Sequence, residues 1–143
     1  MSRNKTTPEA KLEIGAFPYL IKKGKLKIMI VTNCAGNTWI LPKGHPETNL
    51  QDTQVALLEA TEEAGIKGKL LGRNSYKEFK GKGGRVLRIY PLAIGKVLTE
   101  WPEEKFRKRQ LVSVEQALSL VTRQAHMNAI VYFSKPAWLK KLA

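Results

Sequence analysis

The chain has 143 residues, of which 43% are hydrophobic and 26% charged, enough for one domain with a real core and too few for two ordinary ones. This composition excludes a disordered or fibrous chain, no apolar run approaches the ~20 residues of a membrane span, and a single cysteine, Cys34, excludes an intrachain disulfide. The net charge of +13 favours anionic partners, whether polyphosphates, nucleotides, nucleic acid or an acidic surface. Residues 1–9 read as a loose N-terminus without the apolar segment of a secretory signal, so a soluble, cytoplasmic protein is expected. Strands are predicted over Leu12–Lys22 and Leu26–Thr32, joined through the turn-prone KKGK. A loop over Asn33–Asn37 carries Cys34, and a short strand, Thr38–Leu41, is closed by Pro42. Lys43, Gly44, His45 and Pro46 then make a tight, irregular connection.

A helix is predicted over residues 51–64, capped by Asn49 or Asp52, supported by Val55, Ala56, Leu57, Ala60 and Ala64, and ended by Gly65. Beyond it, strands over Lys69–Phe79 and Arg85–Val97 flank the glycine-rich tip KGKGGR as a hairpin. That tip is not a P-loop, because it lacks the spacing and the Lys-Ser/Thr end. Residues 98–106 read as a loop and Arg107–Val112 as a short strand. Ser113 then opens the pattern Ser-x-Glu-Gln of a capped helix running to about Val121. Residues 125–143 read as a C-terminal helical segment broken at Pro136. Mixed strands around a central helix, with late helices, predict an α/β sandwich formed as a single domain over residues 1–143.

The charge is unevenly distributed. From Gly44 to Ile66 there is no Lys or Arg, yet this stretch holds Glu47, Asp52, Glu59, Glu62 and Glu63, five of the twelve acidic residues. Glu59, Glu62 and Glu63 stand at i, i+3 and i+4, so their carboxylates share one helix face. Like charges so placed cost roughly 0.2–0.5 kcal/mol per pair, and no cation within the helix relieves them. A divalent cation would do so, since clustered oxygen ligands suit Mg2+ or Mn2+. By itself the pattern also fits a solvated acidic face.

The surrounding PKGHPETNLQDTQVALLEATEEAGI resembles the signature box of the Nudix hydrolase family. Gly44, Glu59, Glu62, Glu63, Gly65 and Ile66 fall in register over its 23 positions, with Ala60 at the aliphatic place. The preceding Trp39–Lys43 looks like the strand that leads into the box. The resemblance implies a Nudix-type α/β/α sandwich with a mixed central sheet, and a metal-dependent hydrolase that cuts a diphosphate bond. It implies Glu59, Glu62 and Glu63 as catalytic residues and metal ligands, with the Gly44 carbonyl completing the shell around Mg2+ or Mn2+. The general base varies within the family, and Glu100, Glu103 and Glu104 are candidates.

Two positions depart from the box: Leu50 replaces its first Glu and Leu58 its Arg. The resemblance implies that the Arg orients the catalytic carboxylates. Loss of both charges suggests an ion pair exchanged for an apolar contact between Leu50 and Leu58, an exchange that can be neutral or stabilising.

Three further stretches are similar to the subgroup acting on dinucleoside polyphosphates and diphosphoinositol polyphosphates. They are Gly15–Tyr19, the PKGHPE run, and Trp101-Pro102-Glu103-Glu104 followed by Arg107 and Arg109. Lys43, Lys77, Lys80, Lys82, Arg85, Arg88, Arg107 and Arg109 could then surround a phosphate chain, Arg being suited to bidentate contacts. Arg88 shares a strand face with Val86 and Tyr90 and is expected to point into the substrate cleft. His45 is expected to touch phosphate and Tyr76 to stack on a base, whereas His126 reads as structural. The expected partner is a small-molecule polyphosphate or nucleotide, with RNA as the lesser alternative and no membrane. The competing function is a Nudix-fold nucleotide- or RNA-binding protein in which Leu58 has reduced or ended hydrolysis.

Overall fold

The computed structural model describes residues 8–138. Its elements in chain order are β1 (Leu12–Lys22), β2 (Lys25–Thr32), β3 (Trp39–Ile40), β4 (Lys43–Gly44), α1 (Asp52–Ala64), β5 (Ile66–Leu70), β6 (Lys77–Lys80), β7 (Val86–Val97), β8 (Arg109–Ser113), α2 (Val114–Leu120) and α3 (Gln124–Phe133). The strands form one mixed sheet in which β1 and β7 are parallel and the other pairs antiparallel. The expected α/β/α sandwich is what forms.

Strand alternation sorts the core into two layers. Leu12, Ile14 and Ala16 of β1 and Tyr90 and Leu92 of β7 pack with Val55, Ala56, Ala60 and Ala64 of α1. The opposite parity, Phe17, Tyr19, Leu87 and Ile89, packs with Ala117 of α2 and Ala129, Ile130 and Phe133 of α3. Each fully buried large side chain here, such as Phe17 or Phe133, contributes about 1.5–3 kcal/mol.

Between these layers the sheet is split. β1 pairs β2 only from Tyr19↔Ile28 to Lys22↔Lys25. Towards their other ends the strands part, and residues 39–44 run between them: Trp39 and Ile40 pair with β2, while Lys43 and Gly44 pair with β1. The Ala16 N–H donates to the Pro42 carbonyl at 3.0 Å. Gly15 makes the insertion possible, because a Cβ there would lie 2.2 Å from the Pro42 oxygen.

Several expectations need correction. The predicted strand over residues 69–79 is two strands, β5 and β6, separated by a turn closed by the Ser75 N–H on the Gly72 carbonyl. The turn-forming GRNS sequence wins over strand propensity, and both strands pair successive parts of the same edge of β7. The α1 N-cap is Gln51, whose N–H donates to the Gln54 side chain at 2.7 Å, not Asn49 or Asp52. The hairpin tip and the Ser113 cap of α2 are as expected. The C-terminal helix ends at Phe133 and a further helical turn follows at residues 136–138; the expected loose stretch at 1–7 and the end of the tail, 139–143, lie outside the described residues. Among the described residues no helix is long and apolar enough to cross a membrane.

Asp52 is spent on Arg88, the largest of the fully buried side chains. Its guanidinium donates to Asp52 Oδ2 at 2.6 Å and, through Nε, to Glu78 Oε2 at 2.9 Å, and it lies 4.7 Å from the Tyr76 ring centroid. Arg88 does share the α1 face with Val86 and Tyr90, but it ties the start of α1 to the β6–β7 hairpin inside the core. The expectation of a cleft-lining Arg88 is overturned. Removing one member of a buried ion pair leaves its partner uncompensated, at about 3–5 kcal/mol. Arg88→Met should therefore lose about that much in urea unfolding, and a change below about 1 kcal/mol would contradict the packing described.

Candidate active site

The insertion of residues 39–44 brings main chain onto α1. At Gly44 a Cβ would stand 2.3 Å from Glu59 Oε2, so only glycine allows the carboxylate this close to the backbone. The adjacent Lys43 N–H donates to Glu63 Oε1 at 3.2 Å. Glu59 and Glu63 stand one helical turn apart, close enough that their carboxyls act on each other. Burial pushes Glu63 up to about 8; Arg107 opposes that rise and Glu59 adds to it. Glu59 is raised too, by burial first and then by Glu62, Glu103 and Glu47.

The C-terminal end of α1 is the other half of the site. The last four carbonyls of a helix lack intrahelical partners, and here each has one. The Thr61 carbonyl takes the Gly65 N–H, Glu62 the Glu103 N–H at 3.0 Å, Glu63 the Trp101 Nε1–H at 3.1 Å, and Ala64 the Arg109 guanidinium at 2.9 Å. Arg109 also donates to the Leu98 carbonyl and stacks 3.8 Å from the Trp101 ring centroid. A cation here also complements the helix dipole. The loop that caps the helix carries Glu103 and Arg107 to the carboxylates. Arg107 bonds Glu103 Oε1 at 2.6 Å and lies 3.3 Å from Glu63 Oε2.

Of the expected phosphate contacts, Arg107 and Arg109 are thus engaged on α1 and its capping loop. Tyr76 packs against Tyr90, centroids 5.3 Å apart, beneath Arg88, rather than standing free to stack on a base. His45 is exposed, its Nδ1 3.3 Å from the Leu12 carbonyl. Leu50 packs with Leu12, Ile14, Val55, Ala56 and Tyr90, whereas half-buried Leu58 joins none of the three apolar groups.

Lys43 connects the carboxylates to the opposite sheet face. Its ammonium pairs with Glu13 Oε2 at 2.8 Å; burial works to raise Glu13, but Lys43 outweighs it and holds the carboxyl below its usual range. Glu13 borders a cleft of about 870 Å3 lined by Lys80, Lys82, Arg85, Arg123 and His126. His126 is buried, its Nδ1 accepts the Leu41 N–H at 3.0 Å, and burial followed by Lys43 pushes its pKa down to about 3. The ring is neutral, with its proton on Nε2. Arg123 belongs to no motif of the sequence, and the residues of the cleft come from three distant segments.

The donor set fits a hard divalent cation. The acids are oxygen ligands, and burial opposes the charge of both Glu59 and Glu63, a cost that a cation would offset. Among the described residues, no three His, Cys, Asp or Glu side chains stand assembled as a ready-made cage. Burial raises Glu63 from 4.5 to about 8 and lowers His126 from 6.5 to about 3, so the two act in opposite directions on stability up to about pH 6.5, and metal-free protein should lose stability as pH rises from there to about 8. Melting in chelator between pH 6.5 and 8 should show the decline, and Glu63→Gln should flatten it; identical slopes for both proteins would refute the raised Glu63 carboxyl.

No family model matches the chain. It is similar to Nudix hydrolase 21, chloroplastic, of Arabidopsis thaliana, with 32% identity over 114 residues, covering 75% of this chain and 58% of the relative. It is also similar to diphosphoinositol polyphosphate phosphohydrolase 3-beta of Bos taurus, 32% identical over 87 residues, covering 58% of this chain and 52% of the relative. The chain thus spans less than three fifths of the length of these curated relatives. A C. elegans Ap4A hydrolase in a binary complex superposes with a TM-score of 0.72 at 17% identity, covering 90% of this chain and 98% of that one. With the glutamates of the box in place on α1, Gly44 against Glu59, and this fold around them, the chain belongs to the Nudix hydrolase family.

Proposed function

We propose that the protein is a divalent-metal-dependent hydrolase that cleaves a diphosphate bond in a nucleoside-diphosphate-linked or polyphosphate substrate, a dinucleoside polyphosphate or a diphosphoinositol polyphosphate. The observation that carries this reading is half-buried Glu59 against Gly44 beside buried Glu63, whose carboxylate accepts the Lys43 N–H. Names of a curated relative and a fold neighbour give the two substrate types.

Glu59 and Glu63 would hold Mg2+ or Mn2+, with the Gly44 carbonyl as a further ligand and Glu62 as a ligand or a water-orienting group. The bound ion's chemistry is neutralisation of diphosphate charge and acidification of a water for attack. Among the three acids of the capping loop, Glu103 is best placed to take the water's proton. Arg107 fixes it beside Glu63, whereas Glu104 accepts the Trp101 N–H of its own loop and Glu100 is exposed. The basic cleft lined by Lys80, Lys82, Arg85 and Arg123 lies on the other face of the sheet from Glu59 and Glu63, so it would hold an anion apart from the bond that is cut.

Leu58 favours a second reading, a Nudix-fold protein that binds a nucleotide or RNA without turning it over. A panel of dinucleoside polyphosphates, diphosphoinositol polyphosphates, nucleotide sugars and triphosphorylated RNA, assayed with Mg2+ and Mn2+, separates the two. Metal-dependent release of phosphate or nucleotide, reduced by about two orders of magnitude or more in Glu63→Gln, is the expected result. Tight binding of a panel member with no turnover would establish the binder instead.

A further inference from the structure

α1 lacks the arginine that the box places before its first clustered glutamate, and among the described residues only one guanidinium meets Glu63 from elsewhere. That group is Arg107, brought in by the loop after β7. We propose that Arg107 is the positioning residue that replaces the box arginine, holding Glu63 and Glu103 in place for the ion. The inference rests on the hydrolase reading above.

The geometry is that of a clamp rather than of a loose surface pair. The Arg107 side chain is 9% exposed and divides its donors: Nε to Glu103 Oε1 at 2.6 Å, Nη1 to the Thr32 carbonyl at 2.9 Å, and Nη2 between Cys34 Sγ and Glu63 Oε2, each at 3.3 Å. Its backbone is anchored on the same strand end. The Lys108 N–H donates to Thr32 Oγ1, and the Thr32 N–H to the Lys108 carbonyl, both at 3.0 Å. The planar fork is thereby fixed by β2 on one side and reaches two carboxylates on the other, a division of labour a lysine ammonium cannot reproduce. One carboxylate belongs to α1 and the other to the loop, so the guanidinium sets their relation to each other. The neighbourhood holds excess negative charge without it, since Glu59, Glu62, Glu63 and Glu103 act on one another.

A positioning role and a mere charge-balancing role predict opposite signs. If Arg107 only offset the carboxylates, removing it would tighten Mn2+ binding by Coulomb attraction. If it fixes their orientation, removal leaves side chains that must be ordered by the ion, and Mn2+ binding weakens. Arg107→Met and Arg107→Lys should each weaken Mn2+ binding in titrations followed by electron paramagnetic resonance, and lower kcat by about 10–100-fold with KM little changed. The loss should be smaller for Lys. Leu58→Arg should recover most of it in the Arg107→Met background and change little in the otherwise unaltered protein. Tighter Mn2+ binding in Arg107→Met, unchanged binding in Arg107→Lys, or an equal effect of Leu58→Arg in the two backgrounds overturns the proposal. Should Arg107→Met fail to fold by near-ultraviolet circular dichroism, Arg107→Lys decides: it keeps the charge, so weakened Mn2+ binding supports positioning and unchanged binding overturns it. If the unaltered protein hydrolyses no panel substrate, the hydrolase reading fails separately, and the Mn2+ titrations still decide what Arg107 does.

Discussion

The end of α1 imposes the constraint from which the site follows. A helix closing inside a protein presents carbonyls that must find donors, and α1 obtains most of them from one stretch, Trp101 to Arg109. A main-chain amide, an indole and a guanidinium each take one carbonyl, so the loop has little freedom to sit elsewhere. Once it is there, Glu103 and Arg107 necessarily lie beside Glu63. Satisfying backbone hydrogen bonds therefore also builds the electrostatic surroundings of the carboxylates. The other end of α1 is fixed just as firmly, by Asp52 on Arg88.

A chain of net charge +13 has little difficulty finding cations for its acids, and the way it distributes them is informative. Asp52 and Glu78 share Arg88, Glu13 has Lys43, and Glu103 has Arg107. Glu63 receives only the long arm of Arg107 and one amide, and Glu59 leans on Glu63 itself. Among the described residues the buried carboxylates Glu13 and Asp52 thus each have a close cation, and compensation is weakest at Glu63, beside which the main chain of Gly44 closes in on Glu59.

The sequence made α1 legible because helical periodicity is local: Val55, Ala56, Ala60 and Ala64 mark the buried stripe, and spacing puts Glu59, Glu62 and Glu63 on one face, while only the resemblance to the Nudix box marks that face as a site. The strands of the core, the hairpin tip and the Ser113 cap were legible for the same reason. Pairings across tens of residues were not. Arg88 shows the limit most clearly, since alternation gave its face correctly but not its partners, and an arginine with two carboxylates inside the core looks in sequence like an arginine aimed at phosphate. Arg107 and Arg109 were marked as phosphate contacts for their charge, while their donors are used on carbonyls and carboxylates. Gln51 displaced Asp52 as cap because Asp52 had a stronger claim elsewhere. The basic cleft assembles β1, the hairpin and α3, and no one-dimensional pattern joins them.

Lys43 has a consequence of its own. Its peptide nitrogen serves the acidic face of the sheet and its side chain the basic face, a few bonds apart. One residue thus carries a contact on each face: a substitution of Lys43 takes the cation away from Glu13 on the basic side and leaves in place the main-chain amide that Glu63 accepts on the acidic side.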